Sequence, residues 1–199
     1  RPGLSWHFEI SPARLNPELV ALWLAAPRNY LKLEMGVQTL HAPALAAIRR
    51  ADSWAEAEPL VKRIIAAGNT HLHLDLIAGL PADTPSGFAR SFHRLHQLDA
   101  DYLQFGFLKL LPGSPLAARA AELKLLAGEF PPYRVWSTPD MPAEYMFALY
   151  RAERLFQALY NKGRYEFRPA LIRAAETYAG GALAMYMDTA RDLPAGGWD

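Results

Sequence analysis

No cysteine occurs anywhere in the 199 residues. That absence excludes disulfides, thiolate zinc sites and cysteine-held iron–sulfur clusters within this sequence. Charge of one sign is also lacking. Lys and Arg number 21 against 20 Asp and Glu, a formal balance of +1, which offers no electrostatic case for nucleic acid or an anionic membrane. No apolar run reaches the roughly 18 residues that a bilayer span needs. The opening residues, RPGLSWHFEI, hold no apolar segment of the kind a secretory signal requires. A cytoplasmic setting is therefore expected. What the chain has is apolar bulk: 51% hydrophobic residues are enough to bury the core of one domain with an appendage. It opens on Arg1 and enters strand-like sequence within a few residues, so a fragment of a longer protein is expected.

Strand and helix signals alternate. LSWHFEI, Leu4 to Ile10, is aromatic and branched and stops at Ser11-Pro12. Asn16-Pro17 then opens a helix with Asn16 as its N-cap. A second strand is predicted over Leu31 to Val37. A helical region from Ala42 to Ala67 follows, broken near Ala51 to Ser53 and closed by Gly68. His71 to Ile77 reads as a third strand, Thr84 to Leu98 as a helix, and Tyr102 to Leu111 as a fourth strand. The rhythm of about 30 residues is that of a βα crossover unit and implies a parallel sheet. After Pro112 the pattern changes. Helix is expected over Pro115 to Leu126, a proline-rich loop over Phe130 to Pro142, and helices over Ala143 to Tyr160 and Pro169 to Asp188. The fold class read from this is α/β: a partial (half) β/α barrel of the TIM type with parallel strands, residues 1–125, then a mainly α-helical C-terminal domain, residues 126–199.

All-parallel strands have both faces buried and normally read as continuous apolar runs. Each of these breaks the rule on one face. His7 and Glu9, Glu34 with Gly36 and Gln38, His71 with His73 and Asp75, and Gln104 with Gly106 all share the alternation that leaves the opposite faces apolar. In a part-barrel one face meets the helices and the other lines the lumen. Carboxylates placed there need partners, so a ligand site is expected at the C-terminal ends of the strands.

The combination of GVQ at Gly36 to Gln38, Arg50 and DLIAGLP at Asp75 to Pro81 resembles the middle and C-terminal part of radical S-adenosylmethionine enzymes, on the branch of oxygen-independent coproporphyrinogen oxidase. LQFGFLKLLPGS, PPYRVWST and EYMFALYRAERLFQALYN are similar to the tail of the cobalamin-binding group related to anaerobic magnesium-protoporphyrin monomethyl ester cyclase. The resemblance implies that Gln38, Arg50 and Asp75 contact S-adenosylmethionine, with Gly36 and Gly79 allowing close backbone approach. Asp75 or Gln38 suits ribose hydroxyls, and Arg50 suits the methionyl carboxylate. Arg49 competes with Arg50 for that place, since neighbours on a helix point about 100° apart. Glu9, Glu34, His71 and His73 are catalytic or substrate-contact candidates. The resemblance further implies a [4Fe–4S] cluster, with cobalamin as an additional cofactor of the group, and a small-molecule substrate. The CxxxCxxC motif that holds such a cluster is absent here. The parent is then an oxidoreductase or methyltransferase, and this chain alone is inactive.

Two other readings compete. His71-x-His73-x-Asp75 places two imidazoles and a carboxylate on one strand face, a donor set for a divalent ion in a β/α-barrel hydrolase. The radical-enzyme reading assigns no metal ligand. The third reading is a scaffold or interaction module. Lys162, Arg164, Arg168 and Arg173 read as a solvated basic face, and an exposed sheet edge predicts dimerisation or aggregation.

Overall fold

A computed structural model describes residues 4–51, 53–162 and 166–193 of the chain. Arg164 and residues 194–199 of the sequence reading therefore lie outside the described residues.

Four strands form one all-parallel sheet in simple chain order: β1 (Trp6–Ile10), β2 (Leu31–Gln38), β3 (His71–Ala78) and β4 (Tyr102–Phe107). The crossovers run through α1 (Pro17–Leu24), α2 (Ala42–Ala47) with α3 (Trp54–Ala67), and α4 (Pro85–His96). This is the expected α/β part-barrel. The start signals act as read: the Asn16 side chain accepts from the Leu19 N–H and the Thr84 hydroxyl from that of Gly87, satisfying donors that a first helical turn leaves open.

The alternation in sequence becomes an alternation in burial. Leu33, Met35, Val37, Leu72, Leu74, Leu76, Leu103 and Phe105 are buried. Glu34, Gly36, Gln38, His73, Asp75 and Gln104 lie half-buried on the other face. β1 departs from the pattern, because its apolar residues Trp6 and Phe8 are 49% and 42% exposed. They line an open groove with Leu22 of α1, Pro27 and Tyr30.

The C-terminal part is helical: α5 (Pro115–Ala118), α6 (Ala143–Phe156) running into a π-helical segment (Gln157–Lys162), α7 (Arg168–Thr177) and α8 (Gly181–Arg191). Three expectations are corrected here. The helix expected over Pro115 to Leu126 is only one turn long. The loop expected over Phe130 to Pro142 contains a short strand, β6 (Val135–Ser137), which pairs antiparallel with β5 (Leu126–Ala127) just before the loop. The single last helix is two, divided where Gly180 and Gly181 take φ of 86° and 78°, a backbone that side chains other than glycine resist. Phe92, Phe105, Phe156, Tyr160 and Tyr186 interlock between the sheet's apolar face and these helices.

Among the described residues the two edges of the sheet differ. At β4 the Asn161 amide donates to the Leu103 carbonyl at 2.7 Å and accepts from the Leu103 N–H at 3.3 Å, so one side chain stands in for a neighbouring strand. Further along, Val135 donates to the carbonyl of Leu108 and Leu110 to that of Tyr133. The expectation of an exposed edge therefore applies to β1, where no strand pairs on the outer side among the described residues. Arg168 is likewise buried, at 6% exposure, and does not belong to a solvated basic face; Lys162 and Arg173 are exposed. No helix among the described residues is long and apolar enough to cross a membrane.

Candidate functional site

Strand polarity places all four C-terminal ends on one side of the sheet, and the site residues collect there. Glu9, Ile10 and Ser11 from the end of β1, Glu34, Gly36 and Gln38 from β2, Asp75 from β3, and Arg50 line one open cavity of about 280 Å³. Register makes this possible: Glu9 pairs with Glu34, Glu34 with His73, and Gly36 with Asp75. Every second residue of adjacent strands therefore meets on one face.

β2 ends irregularly. Its pairing with β3 shifts between Gly36 and Gln38, and Gln38 takes φ of 68°, a left-handed conformation uncommon for a residue with a side chain. The result turns the Gln38 amide back over Gly36. A Cβ on Gly36 would collide with Gln38 Nε2 and approach Arg50 Nη1. With glycine at 36 the Gln38 amide can lie directly over the strand; a side chain there would push it aside. Gln38 Oε1 is sealed from solvent without a hydrogen-bond partner among the described residues, an arrangement that costs about 1–3 kcal/mol.

The end of α2 directs Arg49 and Arg50 to different places. Arg49 adopts φ of 57°, its N–H bonds to the Ala46 carbonyl, and the Arg50 N–H reaches back to that of Leu45. This is the paired bonding that ends a helix in a left-handed residue. The two arginines are therefore not successive helical residues, as the sequence reading assumed. Arg50 turns toward the sheet, where Nη2 donates to the Gly36 carbonyl at 2.9 Å and Ser11 Oγ at 3.0 Å. Arg49 lines a different hollow with Ser114 and Arg119.

Around the cavity, His7 Nε2 lies 3.1 Å from Glu34 Oε2. His73 Nε2 lies 2.9 Å from Asp75 Oδ1, yet without the alignment of a hydrogen bond, so this buried nitrogen has no hydrogen-bond partner among the described residues. Glu34, His73 and Asp75 each bring a donor atom within 4.8 Å of the others. His71 does not join them. It sits at the start of β3, 3.9 Å from Asp101. Gly79 does not line the cavity either: its missing Cβ faces Met146 Cε and Val135 Cγ1, so the residue is needed for packing and for its φ of 83°.

Sequence reasoning missed two supports. Tyr102 crosses the His73 ring edge-on at 4.5 Å and donates to Gln157. Burial pushes its phenol up, and the Glu153 and Asp75 charges add to this. The fully buried Asp83 binds the loops after β2 and β3 together, accepting from Thr39 Oγ1 and the Thr84 N–H, with His41 Nδ1 at 3.1 Å. Burial raises its carboxyl above the usual range against these contacts. Asp83-Thr84-Pro85 was visible as a helix start, but the His41 and Thr39 partners lie more than 40 residues away.

No protein-family model matches the chain. The heme chaperone HemW of Mycobacterium tuberculosis, in strains CDC 1551 and H37Rv, is 31% identical over 119 residues, covering 60% of this chain. The chain spans 30% of the length of these curated relatives. Among solved structures, the radical SAM coproporphyrinogen III oxidase HemN from Escherichia coli matches with a TM-score of 0.55 at 21% identity, over 86% of this chain and 37% of that one. The radical S-adenosylmethionine methyltransferase TsrM from Kitasatospora setae, bound to tryptophan and a SAM analogue, matches at 0.51 and 19% identity, over 70% of this chain and 29% of that one. The same enzyme with cobalamin and a [4Fe-4S] cluster bound gives the same score over 27% of its length. The resemblance to radical S-adenosylmethionine enzymes is borne out at the level of the fold: the sheet and its helices share the fold of HemN and TsrM.

Proposed function

We propose that this chain supplies the adenosyl- and methionyl-binding half of a radical S-adenosylmethionine enzyme that acts on a small molecule. The observation that carries this reading is the convergence of Gln38, Arg50 and Asp75 on one cavity. Those residues suit the cofactor: Asp75 or Gln38 would accept from ribose hydroxyls, and Arg50, oriented by Ser11 and the Gly36 carbonyl, would pair with the methionyl carboxylate. Bound beside a reduced cluster, the cofactor supplies one-electron chemistry. The cluster itself does not fit the residues present, because the sequence has no cysteine to ligate it. Cobalamin, an oxidoreductase or methyltransferase activity, a cytoplasmic setting and pairing through the open β1 edge belong to the same proposal for the whole protein. Glu9, Glu34 and His73 are the groups placed to hold substrate or carry a proton there.

Isothermal titration tests this directly. S-adenosylmethionine is expected to bind weakly, and Asp75→Ala or Gln38→Ala to weaken it at least about tenfold, the effect of one hydrogen bond to a charged or buried group. Binding that is unchanged in both variants contradicts the reading.

A metal-dependent hydrolase keeps one supporting observation, the Glu34, His73 and Asp75 cluster. That reading predicts stoichiometric zinc binding in the same titration, lost in His73→Ala and retained in His71→Ala.

A further inference from the structure

A second pocket lies against the outer side of the C-terminal ends of β3 and β4. It encloses about 260 Å³ and is lined by Phe107, Arg134, Val135, Trp136, Met146, Phe147 and Tyr150. Nothing in the proposed S-adenosylmethionine site uses it. It is nevertheless tied to that end of the sheet, since Met146 and Val135 pack on Gly79 at the turn leaving β3.

Its walls are flat rings. Trp136 and Phe147 stack nearly parallel, with centroids 6.0 Å apart and planes 24° apart. Phe107 and Tyr150 meet at 5.9 Å. The Arg134 guanidinium lies over both of the latter rings, 5.1 Å from that of Phe107 and 4.8 Å from that of Tyr150. Trp136, Phe147 and Tyr150 remain 38%, 57% and 37% exposed, so the aromatic surface has not been spent on the core.

Arg134 is the unusual member. Its side chain makes no hydrogen bond among the described residues, and Nε is sealed from solvent without a partner. The cation–π contacts offset part of the desolvation, but they leave a planar fork of N–H donors unused. Glu153 is within electrostatic reach of Arg134, yet its hydrogen bond goes to Gln157, and burial pushes its carboxyl upward. A carboxylate entering the pocket would meet a guanidinium already held in place by two rings, and would gain two charge-assisted bonds at little cost in ordering.

We propose that this pocket binds a small planar aromatic carboxylate, its ring lying along the Trp136–Phe147 and Phe107–Tyr150 walls and its anion on Arg134. The enclosed volume is below the usual range for drug-sized ligands, about 300–1,000 Å³, which restricts the ligand to one or two fused rings.

The probe is 2-naphthoate, followed by tryptophan fluorescence and by saturation-transfer NMR on the full chain, with the neutral 2-naphthalenemethanol as comparator. Naphthoate is expected to bind saturably, and the alcohol about 10- to 100-fold more weakly, the loss of a charged hydrogen-bond partner. Arg134→Met is expected to lose the same factor for naphthoate and to change nothing for the alcohol. Trp136→Phe should remove the fluorescence change. Equal affinity for acid and alcohol overturns the proposal on the unmodified chain alone, whatever the stability of the variants. So does naphthoate binding that Arg134→Met leaves intact, or the absence of saturable binding at millimolar probe.

Discussion

Replacing Arg168 with alanine is expected to cost about 3–5 kcal/mol of stability, since each buried carbonyl left without its donor costs about 1–3 kcal/mol. Arg168 stands in the first turn of α7 and is buried. Nη1 donates to the Ala100 carbonyl at 2.6 Å and to Asp99 Oδ1 at 3.1 Å, Nη2 to the Asp101 carbonyl at 2.9 Å, and Nε to that of Tyr160 at 3.3 Å. The guanidinium also lies 4.3 Å from the Tyr160 ring centre. One side chain thereby joins α7, the π-helical segment and the turn between α4 and β4. Asp99 is 54% exposed, so its ion pair is screened and contributes little. The cost falls on three carbonyls left without their donor. Arg168→Lys should recover only part of it, because an ammonium cannot present the same fork. Urea unfolding followed by circular dichroism checks this, and the midpoint of thermal unfolding should fall on the order of 10 °C. A loss under about 1 kcal/mol would contradict the role given to Arg168.

The second large effect is a loss of stability in acid, centred on His96. This imidazole is fully buried among Phe92, Phe156, Tyr160 and Tyr186. Nε2 lies 3.1 Å from the Tyr186 hydroxyl, while Nδ1 has no partner among the described residues. Burial pushes its pKa down to about 3, with the nearby His93 and Arg168 charges adding to the shift. Between that value and an ordinary 6.5, the unfolded chain binds a proton that the folded chain refuses. Stability should therefore fall as pH drops below 6.5, by about 1.4 kcal/mol per pH unit, or about 3 kcal/mol by pH 4. The raised carboxyls of Asp83 and Glu153 act in the opposite direction, so the decisive quantity is a difference. His96→Phe should flatten the slope of unfolding free energy between pH 6.5 and 4 relative to the unmodified chain. Parallel slopes would show that His96 is not the group responsible.

The sheet and its polar face were legible because period-2 alternation is a local property. Glu34, Gly36 and Gln38 must share a face wherever β2 lies, and Asp75 must share one with His73. The start signals at Asn16 and Thr84 are local too. The misses all depended on partners distant in the chain or on a backbone turn. Arg49 and Arg50 were separated by the left-handed end of α2, not by helical geometry. His71 alternates with His73 and Asp75, yet it lies at the wrong end of the strand to meet them, a matter of length that alternation does not express. Arg168 resembled its basic neighbours until the carbonyls of Ala100 and Asp101 were placed around it. Asn161 closes the β4 edge across 58 residues of sequence. Gly180-Gly181 was the one miss with a plain local signal, because two adjacent glycines interrupt a helix more often than they continue it.

The central claim is that the C-terminal ends of β1, β2 and β3 form a site for S-adenosylmethionine, and two-dimensional ¹H–¹⁵N NMR of the chain during titration with that molecule tests it most directly. Shifts are expected at the amides of residues 9–11 and 34–38 and at Arg50 and Asp75, in fast exchange, and lost in Asp75→Ala. No shifts at millimolar concentration, or shifts gathered instead around Trp136 and Tyr150, would contradict the account.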